Sequence, residues 1–508
     1  MVYSSLLYKK IKNILVVDIL TLSFFILFFV IGVCTYDDYG ISFDEGFQRT
    51  LIGAVNYNFI ETGNPSELLN GFERYYGPAY ELILYSAEKI FKLSDSRDIY
   101  LLRHLIQFLS FFIATVCFYF LGLKLFQKKH LALLGCLFLV LSPRIFAEAF
   151  YNSKDLSMLS FSIIACYTMY LFVERQTVFT ALLHALLCAF LIDIRITGIL
   201  LPFITLYFIL VQPNKKIIPI LSYIVYLFTF IILFWPFLWK NPMYNFIEAF
   251  HQMSQFPWKG TVLYLGQYTP ANELPWHYLF VWIGISTPIL YVVLFFCGVF
   301  FFFKNSLVNF KSVLHLHPIA MFAVGPLIII LGLHSVVYDS WRHVFFIYPF
   351  ILLIAVYGLA ALEKYMTNKI QIAIKNGLIL FSLASTSFFM ISNHPLNNLY
   401  FNVLAGKESS KKFEMDYWGL SYRKGLEYIL QKDASPTIYV YDGIGLAHLN
   451  RKIINKVDRE RLVYTDSISI ANYFLTNHRW HPEEYTVGGL FHKIDVDSNT
   501  VLEIRKLK

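Results

Sequence analysis

Charge is scarce in this chain of 508 residues: Asp, Glu, Lys and Arg together make up only 15% of it, where an ordinary globular protein carries about a quarter. That shortage, set beside 57% hydrophobic residues, excludes most soluble folds. The 50 Phe and 35 Tyr exclude disorder, because a disordered chain lacks the apolar bulk to form a core. Cysteine is also sparse. The six present (Cys34, Cys117, Cys136, Cys166, Cys188 and Cys297) lie in or beside apolar runs with no Cys-x-x-Cys pair, so neither a disulfide framework nor a thiolate metal site is indicated. Internal repeats and low-complexity linkers are missing too, which excludes solenoids and tandem arrays.

What the chain has is apolar length. Runs able to cross ~30 Å of hydrocarbon fall near 13–35, 99–123, 130–143, 156–173, 178–192, 196–211, 217–238, 277–303, 313–333, 344–362 and 376–392. They predict a polytopic α-helical membrane protein of about eleven transmembrane helices, several short enough to form hairpins or bent spans. Basic residues orient it. With a cytoplasmic N-terminus, the inner segments hold fourteen Lys or Arg, from Lys9, Lys10 and Lys12 through Lys128–Lys129 and Lys215–Lys216 to Lys375, against Glu174 and Glu363. The opposite segment 36–98 holds eleven acids and five bases. Every basic cluster agrees with one topology, N-terminus in and C-terminus out. The net charge of +8 therefore lies largely on one membrane face, and nucleic-acid binding is not expected. The first run has the basic flank of a signal peptide, but its length and lack of a small-x-small site mark a retained anchor.

Composition changes at Asn393. From there to Lys508 the chain carries 16 Lys or Arg and 14 Asp or Glu in 116 residues. Apolar segments at Thr437–Tyr441 and Arg461–Tyr464, a helical stretch around Tyr422–Gln431 and a hairpin pattern (Phe491–Val496, Asp497–Asn499, Thr500–Ile504) predict a small α/β domain. The expected division is a membrane domain over 1–392 and an extracytoplasmic domain over 393–508.

Polar residues beside apolar spans are costly and mark function by default. On the predicted topology they gather on the outer face: Asp44-Glu45 in the first loop, the aromatic turn Tyr75-Tyr76-Gly77-Pro78, Ser142-Pro143-Arg144 followed by Lys154-Asp155, Asp193 with Arg195-Ile196-Thr197-Gly198, and Tyr338-Asp339 with Arg342-His343. Such a composition suits binding a phosphate and activating a hydroxyl. Each element has a plainer reading. Asp44-Glu45 fits a solvated loop, Lys154-Asp155 a helix N-terminal pair, and Arg195 and Arg342 snorkelling anchors. Asp193 reads as the local partner of Arg195, and Asp18 as a residue paired within the bundle. His315 and His317 lack companions for a metal site.

These residues, in this order, resemble the GT-C superfamily of polyprenyl-phosphate-sugar-dependent glycosyltransferases, in particular the bacterial protein O-mannosyltransferase and lipid A aminoarabinose-transferase group. The likeness rests on Asp44-Glu45 soon after the first span, Pro143 followed by Asp155, Arg195-Ile196-Thr197-Gly198, and Arg342-His343 with downstream Pro349. It implies transfer of a sugar from a polyprenyl-phosphate donor to a protein, lipid or glycan acceptor, usually with inversion, in a bacterial plasma membrane. By the same resemblance Asp44 is the general base, and Glu45 and Asp155 orient the acceptor or stabilise positive charge on the sugar. Arg195 and Arg342 would hold the donor phosphate, with Lys154 and His343 assisting. The residues define no metal ligand set, but a divalent Mg²⁺ or Mn²⁺ could assist, since carboxylate-rich sites accept them. A transporter or flippase is the rival reading; its signature, inverted repeats with paired Gly/Pro-broken spans, is not found. A membrane scaffold would lack the first-loop carboxylates.

Overall fold

The structure, a computed structural model, describes residues 18–508 apart from 255, 257 and 482. The basic flank at Lys9, Lys10 and Lys12 and the start of the first apolar run lie outside the described residues. The described chain is mostly helical, and it is a multi-pass membrane protein. Seven of its helices are long and apolar enough to cross a bilayer, or eight with one bent pair; Ile19–Thr35, Val178–Ile194 and Ile196–Leu210 are shorter apolar segments. A count of eleven spans requires all of these to cross. The helices Asp155–Arg175 and Arg342–Glu363 are enclosed by the others, whereas Ile217–Phe234, Ile289–Val308 and Lys369–Ser392 lie at the periphery with most of their apolar surface exposed.

The segments expected to face the cytoplasm meet at one end of the bundle. Lys124 pairs with Glu174 at 2.5 Å, Lys375 and Lys128 reach Glu363 at 2.8 and 3.9 Å, and the Gln176 side chain accepts the Lys216 backbone N–H. The two acids among these segments are thus local counter-charges. Asp18 sits at the same end, where it caps Ile19–Thr35 by accepting the Thr21 N–H at 2.8 Å and lies 3.8 Å from Lys129. It is a partly exposed helix cap rather than a residue paired inside the bundle.

Proline sets the bend that matters most for the other end. Lys129–Val140 and Pro143–Tyr151 are inclined by 67°. Pro143 occupies the first turn of the second helix, a position that needs no N–H, whereas in a continuous helix it would remove a hydrogen bond and clash with the preceding turn. The chain then re-enters the bundle at Asp155, whose N–H is capped by the Asn152 side chain at 2.8 Å.

The tail forms a five-stranded mixed sheet. With β1 (Thr261–Tyr264) and β2 (Gln267–Pro270) as a separate hairpin, the sheet comprises β3 (Ile438–Tyr441), β4 (Leu462–Tyr464), β5 (Tyr473–Thr476), β6 (Gly489–Val496) and β7 (Asn499–Lys506) in the order β4-β3-β5-β7-β6. β3 runs parallel to β4 and β5, and β7 antiparallel to β5 and β6. Asp497 and Ser498 both have positive φ (47° and 66°), as a two-residue turn between right-twisting strands requires. The helix Ser421–Lys432 lays Tyr422, Leu426 and Ile429 against the sheet. The tail rests on the segment that follows the first described helix: Arg423 donates to the Asp37 and Tyr39 backbone carbonyls, the Asn450 side-chain oxygen accepts the Ile41 N–H, and Arg459 pairs with Asp95.

Candidate active site

Four segments remote in sequence converge at the bundle end opposite the lysine clusters, around a cavity of about 450 Å³. The first is the short helix Phe43–Phe47, which carries Asp44 and Glu45. Consecutive residues on a helix diverge by about 100°, so the acidic pair splits. Asp44 lines the cavity and meets Arg342 Nη1 at 3.0 Å. Glu45 turns away from the lining into a buried cluster, 3.2 Å from His104 Nε2 and 3.7 Å from Arg103 Nε. Arg103 also holds Glu81 and Glu88, at 2.7 and 3.2 Å, so Glu45 anchors the Asp44 helix from behind.

The second segment brings Lys154 and Asp155. The Lys154 ammonium lies 3.4 Å from the centre of the Tyr76 ring. Burial, reinforced by the nearby Arg195 charge, holds it well below the usual lysine range; an anion beside it would favour its protonated form. Asp155 has a fully enclosed side chain and is not part of the cavity lining. One of its oxygens bonds to Arg195 and the other lies 3.3 Å from Arg342. It fastens two guanidinium groups from behind and sets their separation.

The third segment begins where Val178–Ile194 ends. Arg195 is extended (φ −148°, ψ 130°), which takes its side chain across to Asp155. Asp193 is not its partner: the last helical turn directs that carboxylate to the Ala79 N–H, 2.6 Å away, at the start of the helix Ala79–Ile90. The adjoining turn needs Gly77, since a Cβ there would lie 2.1 Å from the Asp193 carbonyl oxygen.

The fourth segment carries Asp339, Arg342 and His343. Asp339 and Ser340 adopt positive φ (54° and 64°), a conformation that costs non-glycine residues energy. It aims Asp339 at two guanidinium groups, Arg342 at 3.3 Å and Arg479 from the tail. Arg342 is sandwiched between the rings of Tyr338 and Trp418, 4.9 and 5.0 Å from their centres. His343 lines the cavity with its ring against Tyr338 at 4.7 Å. Aromatic rings complete the wall, Trp258 stacking on Tyr338 at 4.1 Å. Burial pushes the Tyr338 hydroxyl up to about 12, so it stays a neutral donor.

Sequence reasoning thus brought Asp44, Lys154, Arg195, Arg342 and His343 to one cavity, with Asp155 immediately behind. It missed Arg479 and Trp480, which the tail contributes to the lining. The available signal was the basic and aromatic run His478-Arg479-Trp480-His481. Glu414 approaches Arg479 at 3.7 Å, so alternating charges run from Glu414 through Arg479, Asp339, Arg342 and Asp155 to Arg195.

The carboxylates do not suit a divalent cation. Asp155 and Asp339 each bridge two guanidinium groups, and Asp44 is paired with Arg342. Among the described residues no group of three or more His, Cys, Asp or Glu is placed to hold a metal. The chemistry facing the cavity is that of an anion site beside Asp44, a carboxylate more open than that of Asp339.

Residues 82–239, which include Lys154, Asp155 and Arg195, match the family described as dolichyl-phosphate-mannose-protein mannosyltransferase. That stretch is similar to the mannosyltransferase family, and it covers less than half of the chain. No curated protein matches it. Among solved structures it is similar to the Archaeoglobus fulgidus oligosaccharyltransferase in the apo form (10% identity, TM-score 0.49, 85% of this chain and 61% of that one). It is also similar to the same enzyme's complex with Zn and sulfate (12% identity, TM-score 0.45, 87% and 64%). The chain thus spans less than two thirds of the length of that oligosaccharyltransferase.

Proposed function

We propose that the protein is a membrane glycosyltransferase that moves one sugar from a polyprenyl-phosphate donor to an extracytoplasmic protein, lipid or glycan acceptor, with inversion. The observation that carries this reading is the convergence of Asp44, Lys154, Arg195, Arg342 and His343 on one cavity at a single end of an apolar bundle. A lipid-borne donor keeps its chain in the bilayer and its phosphate at the interface, which suits side chains gathered at one end of the bundle. The acceptor hydroxyl attacks the anomeric carbon as its proton passes to an Asp44 carboxylate oxygen. The bond from that carbon to the phosphate oxygen breaks, and the electron pair leaves with the phosphate. The departing group gains a negative charge, which fixed guanidinium groups stabilise without reorganising. Arg195 and Arg342 supply planar forks for it, Lys154 and His343 assist, and Asp155 and Glu45 position the machinery.

The direct test incubates purified protein with radiolabelled polyprenyl-phosphate sugar and candidate acceptors. Label moving to an acceptor supports the reading; label crossing a vesicle membrane on an intact lipid would replace it with a flippase. Orientation has its own test. A cysteine-accessibility scan is expected to label positions in 36–98 and 393–508 from outside, and positions beside Lys128–Lys129 and Lys215–Lys216 only from inside. A cytoplasmic tail would overturn the proposed plasma-membrane topology and the access of outer acceptors to the cavity.

Asp155→Asn separates positioning from chemistry. It weakens the clasp on two arginines while leaving Asp44 in place, so turnover is expected to fall by about tenfold to a hundredfold, short of what loss of the base costs. Removing one partner of a buried pair also destabilises, by about 3–5 kcal/mol, so the melting temperature is read alongside. A loss as complete as that of Asp44→Asn would give Asp155 a part in the chemistry itself.

A further inference from the structure

Behind the Phe43–Phe47 helix lies a second, larger cavity of about 780 Å³. Phe43 and Phe47, on either side of Asp44 in the chain, belong to the walls of both cavities. Opposite them the tail contributes His448, Arg451, Lys452 and Arg459, and the first loop adds Arg49 and a single acid, Asp95. Two of these cations are already matched: Arg49 with Glu88 at 2.9 Å and Arg459 with Asp95 at 2.5 Å. Arg451 and Lys452 have no acidic partner among the described residues. The Arg451 Nε donates instead to the Arg459 carbonyl at 3.1 Å, and the His448 ring lies against Tyr464.

The wall therefore concentrates like charges. Burial, then repulsion from Arg49, holds the Lys452 ammonium below its usual range. Burial and then Arg459 do the same to Arg451, and burial followed by Lys452 and Arg451 to His448. An anion between them would relieve all three at once. The aromatic faces of Phe43, Phe47 and Tyr100 stand in the same lining, and the volume falls within the roughly 300–1,000 Å³ of small-molecule sites. A bare phosphate would leave most of that space, and the rings, unused.

We propose that this cavity docks a sugar unit carrying a phosphate or carboxylate, as part of the acceptor, with the anion between Arg451 and Lys452. Its neighbouring unit then presents a hydroxyl past the Phe43–Phe47 helix to Asp44. The word acceptor rests on the transferase reading, whereas binding of an anionic sugar does not.

Binding is read by calorimetry on the full chain in phosphatidylcholine nanodiscs, without turnover. Glucose 6-phosphate and glucuronate are expected to bind saturably, glucose not to bind, and inorganic phosphate to bind at least about tenfold more weakly than the sugar phosphate. Arg451→Gln and Lys452→Gln, each checked for an unchanged melting temperature, should each weaken glucose 6-phosphate by roughly tenfold or more. Asp44→Asn should leave that affinity unchanged. Wild-type affinity in both Gln variants, or glucose binding as tightly as its phosphate, would overturn the anion site. Inorganic phosphate matching glucose 6-phosphate would remove the sugar from it. Displacement by phosphatidylglycerol added to the nanodisc would assign the cavity to a lipid headgroup and overturn the acceptor. A failed transfer assay with intact binding would sink the transferase reading and leave the anion site standing.

Discussion

Asp44→Asn protein, made and folded normally, is expected to lose sugar transfer by about 10²–10⁴-fold, the usual contribution of a positioned general base. The carboxylate is partly open to the cavity and lies 3.0 Å from Arg342. Asn keeps its size and can still offer an oxygen to the guanidinium, but it cannot take a proton from a hydroxyl. Arg342 remains held by Asp155 and Asp339, and Glu45 still ties the helix to Arg103 and His104. The site therefore keeps its shape while losing its base. Turnover is followed as transferred label per folded enzyme, with donor binding measured separately and expected to survive. Wild-type turnover by folded Asp44→Asn would end the base assignment.

The second large effect concerns the guanidinium groups. Arg342→Lys and Arg195→Lys each preserve charge, yet each is expected to lower kcat by about 10²–10³-fold, with kcat/KM falling alongside. The reason is geometric. Arg342 uses Nη1 for Asp44 and Asp155 and Nη2 for Asp339 while it lies between two rings. A lysine offers one compact ammonium and no planar face to stack. Arg195 is similarly fixed by Asp155. If either arginine were only a snorkelling anchor, lysine would serve equally well. Unchanged kinetics in both variants would support that role and leave Lys154 and His343 as the phosphate's partners.

Much of the fold was legible because a bilayer makes sequence simple. Hydropathy alone located the long apolar helices between Ser96–Phe126 and Lys369–Ser392. It did not mark Pro143–Tyr151 or Pro242–Ser254, and it read 277–303 as one run where Tyr278–Ser286 and Ile289–Val308 are separate helices. Turn chemistry located the β6–β7 hairpin. The pieces that escaped are those whose signal is short or shared. β5 is a four-residue apolar strand, which periodicity cannot tell from part of a helix, and the β1–β2 hairpin sits in a loop between spans. Within the site, residue type and sidedness picked out Asp44, Arg195 and Arg342. They did not reveal that Glu45 faces the opposite way, because that follows from its place on a five-residue helix. Nor did they assign Asp193 correctly. Its partner, the Ala79 N–H, lies far away in sequence, and only packing of the turn at Gly77 brings it close. Arg479 was hidden for the same reason.

Arg479 gives the tail a meaning that its distance in sequence conceals. One end of the charge series is supplied by Glu414 and Arg479, the other by residues between the spans. The tail therefore both depends on the site and completes it, and the two cannot be inherited separately. A sheet grafted from another protein would arrive without the cation that Asp339 expects. That carboxylate would then turn wholly to Arg342 and compete with Asp44 for it. Exchange of tails between distant members of such a lineage is disfavoured unless the donor tail carries its own arginine at the same spot.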